Sequence, residues 1–153
     1  MTLIAPRGQV IYRGAGTQDG VCKALLPNSD CTQLAVGGQR YLFGGGKCCR
    51  CCSWDNGCGP VKPSWVDSAK YVGQRLIEGA LCDGFQIQGF ESNHLFQLAN
   101  DSSTLCELDN ADTDLLTFDR QTFSRAAPAA SSFAMPDQDC SSYCGAVSDC
   151  KFG

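Results

Sequence analysis

Twelve cysteines in 153 residues constrain this chain more than any other feature, and five of them crowd into the eleven-residue stretch CCRCCSWDNGC. The full set is Cys22, Cys31, Cys48, Cys49, Cys51, Cys52, Cys58, Cys82, Cys106, Cys140, Cys144 and Cys150. Their density is near the level that marks a disulfide scaffold, and their even number suits full pairing. Structural zinc is the competing chemistry. It takes two separated cysteine pairs, or cysteines with histidine. Cys49 and Cys52 form one C-x-x-C, but no second pair has matching spacing, and His94 is the only histidine. Scattered single cysteines such as Cys22, Cys31, Cys82 and Cys106 fit disulfides better than a metal cluster. We therefore expect all twelve in disulfides, no metal site, and an oxidising compartment.

Geometry restricts the pairing without solving it. Bridged Cα atoms lie ~4.4–6.8 Å apart, whereas adjacent ones lie ~3.8 Å apart. Cys48/Cys49 and Cys51/Cys52 are thus expected to reach outward to distant segments. The C-terminal CSSYCGAVSDC is an obvious acceptor, because it has little else to hold it down.

Composition excludes several classes. Apolar residues make up 43% and charged residues 18% of the chain, which fits a folded domain. With a net charge of −4 and no long basic run, nucleic acid is not an expected partner. No apolar run is long enough for a membrane span. MTLIAPRGQVIYRG lacks a signal-peptide apolar region, so either a leader has been removed or the protein is cytosolic, and the cysteine usage favours the secreted location.

Read along its length, the chain is expected to be a single cysteine-rich domain, 1–153. Residues 1–47 hold short strands, GQVIYRG and then CTQLAV-GG-QRYLF, a hairpin signal. Residues 48–66 hold a cysteine knot. Residues 70–125 read as five short strands with turns every 8–12 residues: KYVGQRLI, CDGFQIQG, HLFQLA, TLCELD and LLTFDRQTF. Residues 126–153 continue through a candidate strand, SFAMP, into a stapled tail. The fold class is therefore mainly β, a curled antiparallel meander with stapled N- and C-terminal loops. Alternation predicts that Val72, Leu76, Phe85, Ile87, Phe96, Leu98, Leu116 and Phe118 share one sheet face. No amphipathic helix is apparent to cover that face. Cys82 and Cys106 fall two strands apart, ~9.6 Å in a flat sheet, and could pair only if the sheet curls hard or one of them lies beyond the ladder.

The stretch CCRCCSWDNGCGPVKPSWVDSAKYVGQRLIEGALCDGFQIQG resembles a group of uncharacterised secreted cysteine-rich domains of plants and algae. More loosely, Tyr71, Gly73, Ile77, Gly79, Cys82, Asp83 and Phe85, with the later Leu116, Phe118 and Asp119, are similar to a pattern in ependymin-related proteins. The resemblance implies a half-barrel like that of bacterial lipoprotein carriers with a concave apolar face, and, through the ependymin-like group, the binding of apolar ligands and calcium. It supplies no catalytic residues.

Other motifs favour bland readings. CCSW is superficially similar to the cysteine-protease C-x-x-C-W signature, but a protease needs a histidine oriented by Asn or Asp in a larger two-lobed fold. Gly44–Lys47 ends like a phosphate loop, but Cys48 stands where Ser or Thr is required. His94 reads as a surface or capping residue. Asp109, Asp112 and Asp114, in an acidic run from Glu107 to Asp119, offer oxygens to calcium, but the EF-hand glycine and terminal Glu are missing. A solvated turn is the expectation, and no cofactor is required. Asn100-Asp101-Ser102 is an N-glycosylation sequon in an expected turn.

With no catalytic constellation, the chain is expected not to be an enzyme. Two readings remain. One is a secreted module binding a hydrophobic small molecule or a partner protein on the concave sheet face. The other is a structural component of an extracellular coat, matrix or filament, able to self-assemble.

Overall fold

The structure, a computed structural model, describes residues 2–5, 8–15, 20–26, 28–60, 63–88, 92–111, 114–124 and 126–145. It is mainly β and contains two separate antiparallel sheets, neither closed into a barrel. The chain divides into two compact units. Unit 1 joins Met1–Val61 to Ala126–Phe152, and unit 2 is the intervening stretch from Lys62 to Arg125.

Unit 1 is a five-stranded meander. It contains β1 (Thr2–Ala5), β2 (Gly8–Arg13), β3 (Cys31–Val36), β4 (Gln39–Gly44) and β5 (Lys47–Ser53), hydrogen-bonded in chain order. The β3–β4 turn shows why the Gly-Gly pair predicts a hairpin. Gly37 (φ 60°) and Gly38 (φ 84°) are both left-handed, a conformation that matches strand twist and disfavours side chains. Between β2 and β3 lies a short helix, α1 (Gly20–Leu25). The Cys22–Cys31 disulfide ties it to the sheet.

Cystine largely replaces hydrocarbon in this core. Val21, Leu26 and Leu42 are buried together with Cys22, Cys31, Cys51, Cys52, Cys58 and Cys144. Arg40 is also fully buried on the sheet, and its Nη2 donates to the Gly59 carbonyl at 2.9 Å. That bond anchors the loop closed by Cys52–Cys58.

The CCRCC run, expected to form a knot, is instead the edge strand β5. Its cysteines do reach outward. Cys48 pairs with Cys140 and Cys49 with Cys144, across 92 and 95 residues of sequence. Cys51 is disulfide-bonded too, and no described cysteine is free. Between the two bridges the tail runs along β5. Arg50 N–H donates to Ser142 O at 2.7 Å, and Cys144 N–H donates to Arg50 O at 2.9 Å. Arg50 and Tyr143 thus form a parallel bridge, with the guanidinium 4.4 Å above the Tyr143 ring. The tail covers the outer edge of the sheet, where unpaired backbone groups would otherwise invite another chain. The candidate strand in SFAMP is a 3-10 turn, Ala130–Phe133, rather than a strand. Its Phe133 comes close to Gly8 of β2, where an added Cβ would lie 3.1 Å from the ring.

Unit 2 is the expected meander: β6 (Lys70–Ile77), β7 (Ala80–Gln88), β8 (Ser92–Leu98), β9 (Asp101–Asn110) and β10 (Asp114–Thr117), again paired in chain order. Glu78 (φ 47°) and Gly79 (φ 75°) form a two-residue turn between Ile77 and Ala80. The core is small. Ile77, Cys82, Phe96 and Cys106 are buried together, with Ala80 and Leu98 packed against them. Arg120, beyond β10, donates to the carbonyls of Ile77 and Glu78 at 3.2 and 2.9 Å. These bonds link one edge of the sheet to the other.

Candidate functional site

Register decides which side chains of unit 2 share a face. Across an antiparallel pair, directly opposed residues project on the same side, and a one-residue slip exchanges the faces. β7 and β8 pair Cys82 with Leu98, Gly84 with Phe96, and Phe85 with Leu95. Phe96 and Leu98 therefore lie on the opposite face from Phe85 and Ile87. β6 pairs Leu76 with Leu81 and Tyr71 with Phe85, and β10 pairs Leu116 with Leu108. Leu76, Phe85, Ile87 and Leu116 thus belong to one face, and Phe96 and Leu98 to the other.

Val72 joins the second set. A bulge between Tyr71 and Gly73 shifts the phase of β6. The Val72 side chain then lies beside Gly84, where a Cβ would be 3.1 Å from Val72 Cγ2. Phe118 follows β10, half-buried, and donates its N–H to Cys106 O at 2.9 Å. The expected single apolar face is therefore two faces, because hairpin register and one bulge set the phase.

The Cys82–Cys106 disulfide identifies the concave side. Its Cα atoms are 6.6 Å apart although β8 lies between them. In a flat sheet they would be ~9.6 Å apart, so the sheet bends toward the face that carries the bridge. A bulge in β9 helps. Phe96 pairs with Glu107 while Gln97 pairs with Leu105, leaving Cys106 as the extra residue. Both Cys106 and Glu107 can then face the concavity.

The concave face holds the chain's own polar side chains rather than a dry trough. Arg75 lies 3.9 Å over the Phe96 ring and forms an ion pair with the buried carboxylate of Glu107. A cleft of about 320 Å³ opens beside them, lined by Val72, Gly73, Gln74, Arg75, His94, Phe96 and Asp109. His94 stacks on Phe96 at 6.5 Å, and its Nδ1 is 4.0 Å from Asp109 Oδ2. An acyl chain entering here would have to displace or desolvate charged groups.

The convex face is different. Leu76 is 73% and Leu81 47% exposed, side by side across the β6–β7 hairpin. Tyr71, 58% exposed, packs edge-on against Phe85 with ring centroids 5.7 Å apart. Between these apolar pairs, Gln74 Nε2 and Tyr71 OH donate to Asp83 Oδ1 at 2.9 and 3.3 Å. Removal from water, with the Asp83 charge and hydrogen bond, holds the Tyr71 phenol above its ordinary 10.0. Farther along, Ile87 is fully buried.

Sequence reading did not place Tyr71, Arg75, Leu81 or Glu107 on a sheet face. Treating Glu-Gly-Ala as a three-residue turn leaves Leu81 outside a strand. A two-residue Glu-Gly turn would have aligned Leu76 with Leu81 and Gln74 with Asp83. Asn100 is exposed in the β8–β9 turn. Asp112 lies outside the described residues, as does Cys150, and the described residues contain no group of three or more His, Cys, Asp or Glu arranged to hold a metal. No described helix is long and apolar enough to cross a membrane.

No family model matches the chain, and no curated protein does. Among solved structures, the crystal structure of MucB aligns with 89% of this chain at 14% identity and a TM-score of 0.32. The chain spans about half the length of that structure, 54%. A likeness at this level carries no argument about function.

Proposed function

We propose that this chain is an extracellular, disulfide-stapled, non-catalytic binding module that takes a partner protein on the β6–β7 hairpin of unit 2. The observation that carries the reading is the exposed cross-strand pair Leu76/Leu81, with Tyr71 on the same face. Large apolar side chains grouped in water mark interaction sites, and burying one leucine contributes ~1.5–3 kcal/mol. The polar filling of the concave face favours a protein partner over an acyl ligand. Disulfides throughout both units favour an oxidising, secreted location, and there Asn100 is available for glycosylation.

Photo-crosslinking of the oxidised protein in its native extracellular fluid tests the reading. Wild-type protein is expected to capture a defined partner that the double variant Leu76→Lys/Leu81→Lys loses. Equal capture by both would refute it. Fluorescent fatty-acid displacement is expected to be negative; tight displacement would move the function to an apolar ligand.

A further inference from the structure

We propose that the occupant of this hairpin's outer edge is a second copy of the chain, paired antiparallel along β6 so that two five-stranded sheets continue as one. The inference rests on the reading above and names its partner. β6 is the long edge of its sheet, with eight residues against four in β10, and no described strand pairs with its outer side. From Lys70 to Leu76 every residue is exposed except the half-buried Gly73.

Backbone geometry says which groups face outward. Ile77 and Ala80 close a two-residue turn and exchange their hydrogen bonds inward, as do Arg75 and Cys82. The N–H and C=O groups of Gln74 and Leu76 alternate with these and point away from β7.

Charge selects the register. With a two-fold axis at Gln74, that residue exchanges both backbone bonds with its own copy. Arg75 then falls opposite a glycine, Gly73, and because Val72 is the extra residue of the bulge, Tyr71 falls opposite Leu76 and Lys70 opposite Ile77 of the second copy at each end. No like charges meet. Moving the axis to Arg75 would set two guanidinium side chains against each other, which is destabilising. The Leu76 side chains lie on the same convex face on both sides of the axis, so their apolar strip, with Leu81, continues across the junction. An isologous contact of this kind closes on itself and makes a dimer rather than a fibre. The bulge at Tyr71–Gly73 bends the first part of the strand and shortens the ladder, so the dimer is expected to be reversible.

Sedimentation equilibrium of the oxidised protein from about 1 µM to about 500 µM tests the proposal. Wild type is expected to pass from monomer to dimer over this range, and Gln74→Pro, which lacks the central N–H, to remain monomeric. Should Gln74→Pro fail to fold by circular dichroism, Gln74→Lys, which sets like charges across the axis, is expected to stay monomeric. Gln74→Cys under mild oxidation is expected to give a covalent dimer through the two introduced thiols. A wild type that is monomeric throughout, a folded Gln74→Pro or Gln74→Lys that still dimerises, or crosslinking by Arg75→Cys in preference to Gln74→Cys would overturn it. A monomeric wild type that still captures a different protein through Leu76 and Leu81 would end self-pairing while leaving the binding reading intact; failure of both would end both.

Discussion

Unit 2 should depend on its single described disulfide to an extent that can be worked out. Cys82–Cys106 closes a loop with a sequence separation of 24. Chain-entropy loss in the unfolded state then amounts to about 3.5 kcal/mol at 25 °C. The two sulfurs also belong to a core whose other fully packed members are only Ile77 and Phe96, so truncation leaves little to collapse into the gap. The perturbation is the paired variant Cys82→Ala/Cys106→Ala, which leaves no odd thiol to exchange with the cystines of unit 1. Native-state hydrogen exchange of amides in β7, β8 and β9 is the assay, because it reads local opening without assuming that the whole chain unfolds at once. A loss of about 3.5 kcal/mol corresponds to a roughly 300-fold rise in the opening constant. A rise below about fivefold, or about 1 kcal/mol, would refute the idea that this bridge holds the curl. It would assign that role to Arg120 and its carbonyl partners instead.

Other outcomes follow from particular contacts. Gly44→Ala should lower the melting temperature strongly, since a Cβ there would collide with the backbone of Asp30 and neither strand end can yield cheaply. Asp83→Asn should lower the Tyr71 titration midpoint toward 10.0 in an ultraviolet phenolate titration; no change would mean that loss of water contact alone raises it. Asp139 is held below its ordinary 3.8, first by the Ser141 backbone N–H that donates to its Oδ1 at 2.9 Å. A depressed carboxylate stabilises the fold above its unfolded value and loses that contribution as pH falls through the folded one. Exchange at the Ser141 amide, corrected for intrinsic rate, should therefore rise on acidification below 3.8 in wild type and be pH-insensitive in Asp139→Ala.

Local chemistry made much of the architecture legible. Gly37-Gly38 can hardly be other than a tight hairpin, and the spacing of polar turns between short alternating runs located all five strands of unit 2. The docking of the tail onto CCRCC was legible for a negative reason: adjacent cysteines rarely bridge each other, and the tail has little core of its own. The helix at Gly20–Leu25 was not foreseen, because six residues carry too little periodicity and its packing depends on Cys22–Cys31. Nor was β5, whose cysteines hide the alternation that would mark it as a strand.

The candidate surface belongs to the second category. Sequence alone determined that unit 2 alternates and that it is rich in Leu and Phe. It could not determine which of those side chains stand together, because face membership changes with a slip of one residue. That slip is decided by the length of a turn at Glu78-Gly79, by a bulge beside Gly73 and by another at Cys106. The turn follows local Glu-Gly backbone preference, whereas the two bulges belong to the pairing of whole strands. Tertiary structure therefore turned one expected apolar face into a concave side filled by Phe96, Arg75 and Glu107 and a convex side on which Leu76 and Leu81 stand in water.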